Sequence, residues 1–194
     1  GFRWMSRYAD RDAFMGLPTS VLSYALHRAP ELGTTLECGV YFGRSLRIIA
    51  NATSGPVHGF DSFEGLPEAW HANEPKGAYS TGGRLPCVPP NAQLHTGWFA
   101  QTLPAFFASQ RQPIRLLHVD CDIYASTRSV LEQADEYLVP GSIVVFDDFV
   151  GYAGYEAHEL RAFEEYVERN GIAWTFLCGS LLGRVVALRI VGRR

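Results

Sequence analysis

From residue 35 onward, short apolar runs rich in β-branched residues end one after another in a carboxylate, with helix-like segments between them. Parallel strands need a long crossover, usually helical, so this rhythm predicts βαβ units and an α/β fold rather than a sandwich or a bundle. The predicted strands are 35–40, 57–60 ending at Asp61, 92–95, 114–119 ending at Asp120, and 142–146 ending at Asp147 and Asp148. Helices are expected over 44–52, 101–109, 124–138 and 155–170. A lead-in helix over 14–29 is expected from Leu17, Val21, Leu22, Ala25 and Leu26 at helical spacing. At the end, 174–178 and 184–190 flank Gly179 to Gly183 as a hairpin, so the otherwise parallel sheet should finish with an antiparallel strand.

The 194 residues suffice for one core, and the whole of 1–194 is read as one domain, with 1–34 leading in. Residues 64–90 are rich in Gly and Pro and too long for an ordinary connection, which predicts a lid or substrate loop, a surface insertion being the alternative. A formal charge of −3 gives no general attraction to nucleic acid or an anionic membrane and turns attention to small-molecule chemistry. Cys38, Cys87, Cys121 and Cys178 lie too far apart for a zinc cluster or a disulfide framework and read as reduced thiols. The first residues lack a signal peptide's pattern, and no apolar run reaches the roughly 20 residues of a membrane span, so a cytoplasmic protein is expected. A start on Gly1 instead of Met suggests that something upstream has been removed.

Ligands of open α/β sheets sit where loops leave the carboxyl ends of the strands. There the sequence places Glu37 to Gly43, Asp61, Gly97-Trp98, Asp120 to Asp122 and Asp147-Asp148. Gly39 and Gly43 bracket the first turn, where missing side chains allow tight bending and close approach of a ligand. The pattern is not GxGxxG, and bulky Tyr41 and Phe42 would crowd a dinucleotide's pyrophosphate. The amino-acid end of S-adenosylmethionine fits this turn better. Asp61, about 20 residues on, suits a ribose diol, a feature shared with NAD enzymes.

These segments resemble the macrocin O-methyltransferase (TylF-like) family of class I S-adenosylmethionine-dependent methyltransferases, which includes antibiotic-tailoring enzymes. The resemblance is carried by Leu36 to Ser45, Phe60 to Pro67, Gly97-Trp98-Phe99 with Thr102-Leu103-Pro104, Asp120 to Thr127, Pro140-Gly141 and Asp147-Asp148, and it spans most of the chain. It implies a Rossmann-like three-layer α/β sandwich whose seven-stranded sheet is mostly parallel with a reversed last strand. It also implies cofactor contacts from Glu37, Gly39, Val40, Tyr41, Ser45, Asp61, Ser62, Trp98 and Asp120. Carried over by residue, Asp120, Asp147 and Asp148 are the expected ligands of a divalent metal, and three carboxylates without nearby His or Cys favour Mg²⁺. Asp147 and Asp148 are neighbours, so both reach one ion only if the strand ends there. Asp122 matches the family's proposed general base; a helix cap or support for the ligands is its alternative role. His71 in the loop is another candidate base, and His118 is expected to pack within its strand.

The implied reaction moves the sulfonium methyl to a hydroxyl of a small molecule, such as a natural-product sugar, with no nucleic-acid or membrane partner and with a homo-oligomer left open. Family members carry a longer segment ahead of the lead-in helix, and little precedes it here. Three rival readings remain. An NAD-dependent oxidoreductase would show a third turn glycine and no acidic triad. A cofactor-binding domain without catalysis would not need Asp120, Asp122, Asp147 and Asp148. A methyltransferase acting on nucleic acid or protein would be expected to carry a basic, aromatic-laced stripe.

Overall fold

In the computed structural model, which describes residues 1–8 and 13–194, the apolar runs pair into one sheet. The strands are β1 (Phe14–Met15), β2 (Thr34–Cys38), β3 (Val57–Asp61), β4 (Ala92–Thr96), β5 (Ile114–Val119), β6 (Ile143–Phe146), β7 (Ile172–Ser180) and β8 (Val186–Arg193). Their order is β1-β7-β8-β6-β5-β2-β3-β4, and β8 runs antiparallel to both β6 and β7 while the other pairings are parallel. The reversed final strand is as expected. Among the described residues the sheet has eight strands where seven were expected, because Phe14 and Met15 pair with Gly179 and Ser180 instead of opening a helix.

The described residues form the α-helices α1 (Phe2–Met5), which precedes the sheet, and α2 (Pro18–Arg28), α3 (Arg44–Asn51), α4 (Phe99–Ser109), α5 (Tyr124–Ala134) and α6 (Glu159–Arg169), which lie between its strands. The lead-in helix starts at Pro18, later than its apolar spacing suggests, since proline's fixed φ and missing N–H suit the first helical position. Two predicted helices are tightened at one end into 3₁₀ turns, Asp135–Tyr137 after α5 and Tyr155–Ala157 before α6.

Side chains alternate across the strands, so each buried strand feeds both faces of the sheet. On one face Leu36, Leu117, Val119, Val144 and Phe146 pack against Leu103 of α4, Leu131 of α5 and Phe163 of α6. On the other, Leu116, Ile143 and Val145 meet Val21, Leu22 and Ala25 of α2 and Leu46 and Ile49 of α3. Helices thus cover both faces, the three-layer arrangement that lets a parallel sheet bury its continuous apolar strands. The chain proceeds outward from β2 to β3 and β4, then returns to place β5 on β2's other side. Loops therefore diverge at the carboxyl ends of β2 and β5, where open α/β sheets form a ligand crevice.

Candidate active site

A cavity of about 280 Å³ opens at this switch point, walled by the loops that leave β2, β3, β4, β5 and β6. Of the expected cofactor residues, Gly39, Tyr41, Asp61, Ser62, Trp98 and Asp120 line it. Glu37, Val40 and Ser45 stand behind its wall. The Glu37 side chain is fully buried, with Oε1 2.9 Å from Nδ1 of the His118 ring. Val40 is buried, and its N–H points to Asp61.

Asp61 organises the first turn. One carboxylate oxygen accepts the N–H groups of Val40 and Tyr41, both at 2.8 Å, and the other accepts the N–H of Phe63 at 2.7 Å. Three of its roughly four acceptor sites are thereby engaged, leaving about one for a ligand hydroxyl. Gly39 has a reason different from ligand approach. Its φ is +93°, and a Cβ there would fall onto the carbonyl oxygen of Asp120, because β2 and β5 close upon each other at this point. Gly39 N–H donates to Phe60 O of β3 and Asp120 N–H to Cys38 O of β2, so the end of β2 is locked to the strands on both sides.

The four aspartates reach the same cavity from two turns. Carboxylate oxygens of Asp120, Asp122 and Asp148 lie within 4.8 Å of one another. β6 ends at Phe146, which lets both following residues turn toward the cavity, but Asp147 inclines to His118, with Oδ1 and Nε2 3.8 Å apart. The most compact triad thus contains Asp122 where Asp147 was expected, while Asp147 stays on the cavity wall.

Asp122 has φ +61°, and Ile123 N–H donates back to Cys121 O at 2.6 Å, forming a γ-turn of the strained, positive-φ kind. A non-glycine residue in this region costs about 1–3 kcal/mol and marks an over-determined position. Tyr41 and Tyr79, two further non-glycine residues with positive φ, line the same cavity. No side chain caps α5, so the capping role for Asp122 is not realised.

Crowding of the acids shows in their ionisation. Burial, then repulsion from the neighbouring Asp148 carboxylate, pushes the Asp122 carboxyl up to about 8. Asp120 is held well above the usual carboxylate range by burial and by Asp147. Asp148 is also raised by burial, although Arg184 opposes the shift through a 2.6 Å ion pair. Burial disfavours the imidazolium of His118, but the flanking carboxylates of Asp147 and Glu37 outweigh it and raise its pKa well above the ordinary value. His118 therefore does more than pack: its ring lies between Glu37 and Asp147, and these acids favour its protonated form.

The loop over 64–90 forms the outer wall. Leu66 N–H donates to Ala78 O and Gly77 N–H to Leu66 O, and Thr81 and Gly83 both donate to Phe63 O. Leu66 and Trp70 pack on Ile123, beside the acidic turn, and the Arg184 guanidinium lies 5.7 Å from the Trp70 ring and 4.6 Å from that of Tyr152. His71 stacks on Trp70 with centroids 4.2 Å apart and is not among the described residues lining the cavity, which disfavours it as a base. Trp70, Tyr79 and Arg184 were not read as site residues from the sequence. Arg184 had no local signal, since its partner Asp148 is 36 residues away.

Among the described residues no helix is long and apolar enough to cross a membrane. Comparison with known proteins places the architecture. A tetracenomycin-C 4'-O-methyltransferase of Streptomyces olivaceus, acting on the 8-demethyl-8-(2,3-dimethoxy-alpha-L-rhamnosyl) form, is 30% identical over 154 residues, which cover 66% of this chain. The match spans only 58% of that relative's length. In fold, the chain is similar to the calicheamicin methyltransferase CalS11, with a TM-score of 0.66 and 24% identity over 88% of this chain and 78% of that one. It is similar also to the O-methyltransferase NovP, with a TM-score of 0.64 and 21% identity over 91% of this chain and 79% of that one. Residues 36–149, more than half of the chain and the segment holding the first turn and all four aspartates, match the family described as Methyltransferase domain, and the chain belongs to that family.

Proposed function

We propose that the chain is an S-adenosylmethionine-dependent O-methyltransferase of the macrocin O-methyltransferase group, acting on a sugar hydroxyl of a small natural product with a divalent cation at its acidic cluster. The observation that carries this reading is the juxtaposition, in one cavity at the switch point, of the Gly39 turn and Asp61 with Asp120, Asp122, Asp147 and Asp148. The first pair suits the cofactor and the second the acceptor. The tetracenomycin relative is named for O-methylation of a rhamnosyl compound, which supports a deoxysugar acceptor.

Asp61 holds the first turn in shape through the Val40 and Tyr41 amides and keeps about one acceptor site for a cofactor hydroxyl, and Trp98 offers an aromatic wall in the same cavity. The acceptor oxygen must lie in line with the sulfur–methyl bond, so positioning by the loop wall supplies much of the rate. As the oxygen–methyl bond forms, the sulfur–methyl bond breaks, its electron pair stays on sulfur to give the neutral thioether, and the acceptor's proton passes to Asp122. A carboxyl with a pKa near neutrality is suited to that task. The oxygen-only donor set of Asp120, Asp147 and Asp148 fits a hard ion such as Mg²⁺, which when bound would make the acceptor hydroxyl more acidic. Asp120 and Asp148 already lie together, and Asp147 is close enough to influence both.

Transfer of labelled methyl from S-adenosylmethionine to a panel of deoxysugar glycosides tests the reading. Label should appear on a sugar hydroxyl, disappear with EDTA and return with Mg²⁺. Transfer indifferent to EDTA would remove the cation from the account.

A further inference from the structure

Glu159 opens α6, is fully buried, and is not among the described residues lining the cavity. Its carboxylate spans two separate turns. Oε1 accepts the N–H of Cys121 at 3.1 Å, and Oε2 accepts the N–H of Asp148 at 3.1 Å. Cys121 lies between Asp120 and Asp122 in the turn after β5, whereas Asp148 follows Asp147 in the turn after β6. The β5–β6 ladder stops at Val119 and Phe146, and one further bond joins Asp147 N–H to Val119 O. Beyond it, the two turns are bridged through Glu159.

A buried carboxylate is expensive unless its oxygens are satisfied, and here each oxygen is used on the backbone of a different turn. We infer that Glu159 is a positioning residue that sets the spacing between the Asp120/Asp122 turn and the Asp147/Asp148 turn, and thereby shapes the cation site. This inference rests on the divalent-cation reading above. Magnesium demands near-ideal octahedral geometry, so a small slip of one turn against the other misplaces its oxygens. Groups that hold metal ligands in place typically alter affinity by about 10–100-fold when lost. The sequence hides this role, because an acid in the first turn of a helix reads as an ordinary complement to the helix dipole.

The test is Mn²⁺ titration of the whole chain by electron paramagnetic resonance, paired with calorimetry of S-adenosylmethionine. In Glu159→Gln one oxygen becomes an NH₂ facing a backbone N–H, so one bridge bond is lost while side-chain shape is kept. The variant should bind Mn²⁺ roughly 10–100-fold more weakly, with S-adenosylmethionine affinity unchanged. A merely structural residue would lower the melting temperature and leave Mn²⁺ affinity of the folded variant at the wild-type value, and that result overturns the inference. Absence of Mn²⁺ binding by the wild type would overturn the cation reading and this inference together. Amide exchange in the wild type gives a check that needs no folded variant: Cys121 and Asp148 N–H should exchange slowly, and rapid exchange at either contradicts the bridge.

Discussion

Asp122 concentrates the chemistry in one residue. Its positive φ, burial and closeness to Asp148 combine a strained backbone with a carboxyl pushed up to about 8. Replacing it by Asn keeps the size and removes the basicity. Methyl transfer by Asp122→Asn should fall by about 10²–10⁴-fold, with Mn²⁺ affinity changed less than the rate. If Mn²⁺ affinity fell as far as the rate, Asp122 would be a metal ligand, as its proximity to Asp120 and Asp148 allows, and Asp147 would be the spare acid. Gly39 is a second residue whose identity is forced. Gly39→Ala must relieve a collision with the Asp120 carbonyl and also adopt a left-handed φ, so a loss of about 3 kcal/mol is expected in urea unfolding. An unchanged urea midpoint would show that the strand ends are not locked as described.

At the level of elements, the interior strands were legible because continuous apolar runs bounded by carboxylates leave little freedom of placement. Observed β5 has the predicted limits of 114–119. β1 was not legible: two residues carry no periodicity, and its partner Gly179 is distant in the sequence. The same limit hid Glu159, Arg184 and the Glu37–His118 pair, whose partners are separated by 38, 36 and 81 residues respectively. Site residues on the chain's own motifs were readable, whereas those that join motifs need the fold. The loop over 64–90 was visible as Gly- and Pro-rich chain, but its anchoring through Leu66 and Trp70 on Ile123 was not. Trp70→Ala should free that loop, raising its limited-proteolysis rate at least about tenfold, since local opening follows local packing energy. The overall melting temperature should move little by comparison. Equal proteolysis of variant and wild type would deny the anchor.

For the whole molecule, the acidic cavity links stability to pH and to cations. Asp120, Asp122 and Asp148 have folded pKa values raised above those of free carboxyls, so the folded chain holds protons that the unfolded chain has released. Stability must then decrease as pH rises, across the window for Asp122 from its ordinary 3.8 to about 8. The slope approaches about 1.4 kcal/mol per pH unit for each such group inside its window. Melting scans in EDTA should show this decline, and added Mg²⁺ should reduce it by favouring the ionised cluster; a stability profile rising across the same window would contradict the assignment. The family match and the cavity's position bear on the cofactor more than on the acceptor, so the central claim is tested most directly by calorimetric titration with S-adenosylmethionine and, separately, with NAD⁺. The account predicts saturable S-adenosylmethionine binding at one site per chain with no comparable heat from NAD⁺; tighter binding of NAD⁺ would contradict it.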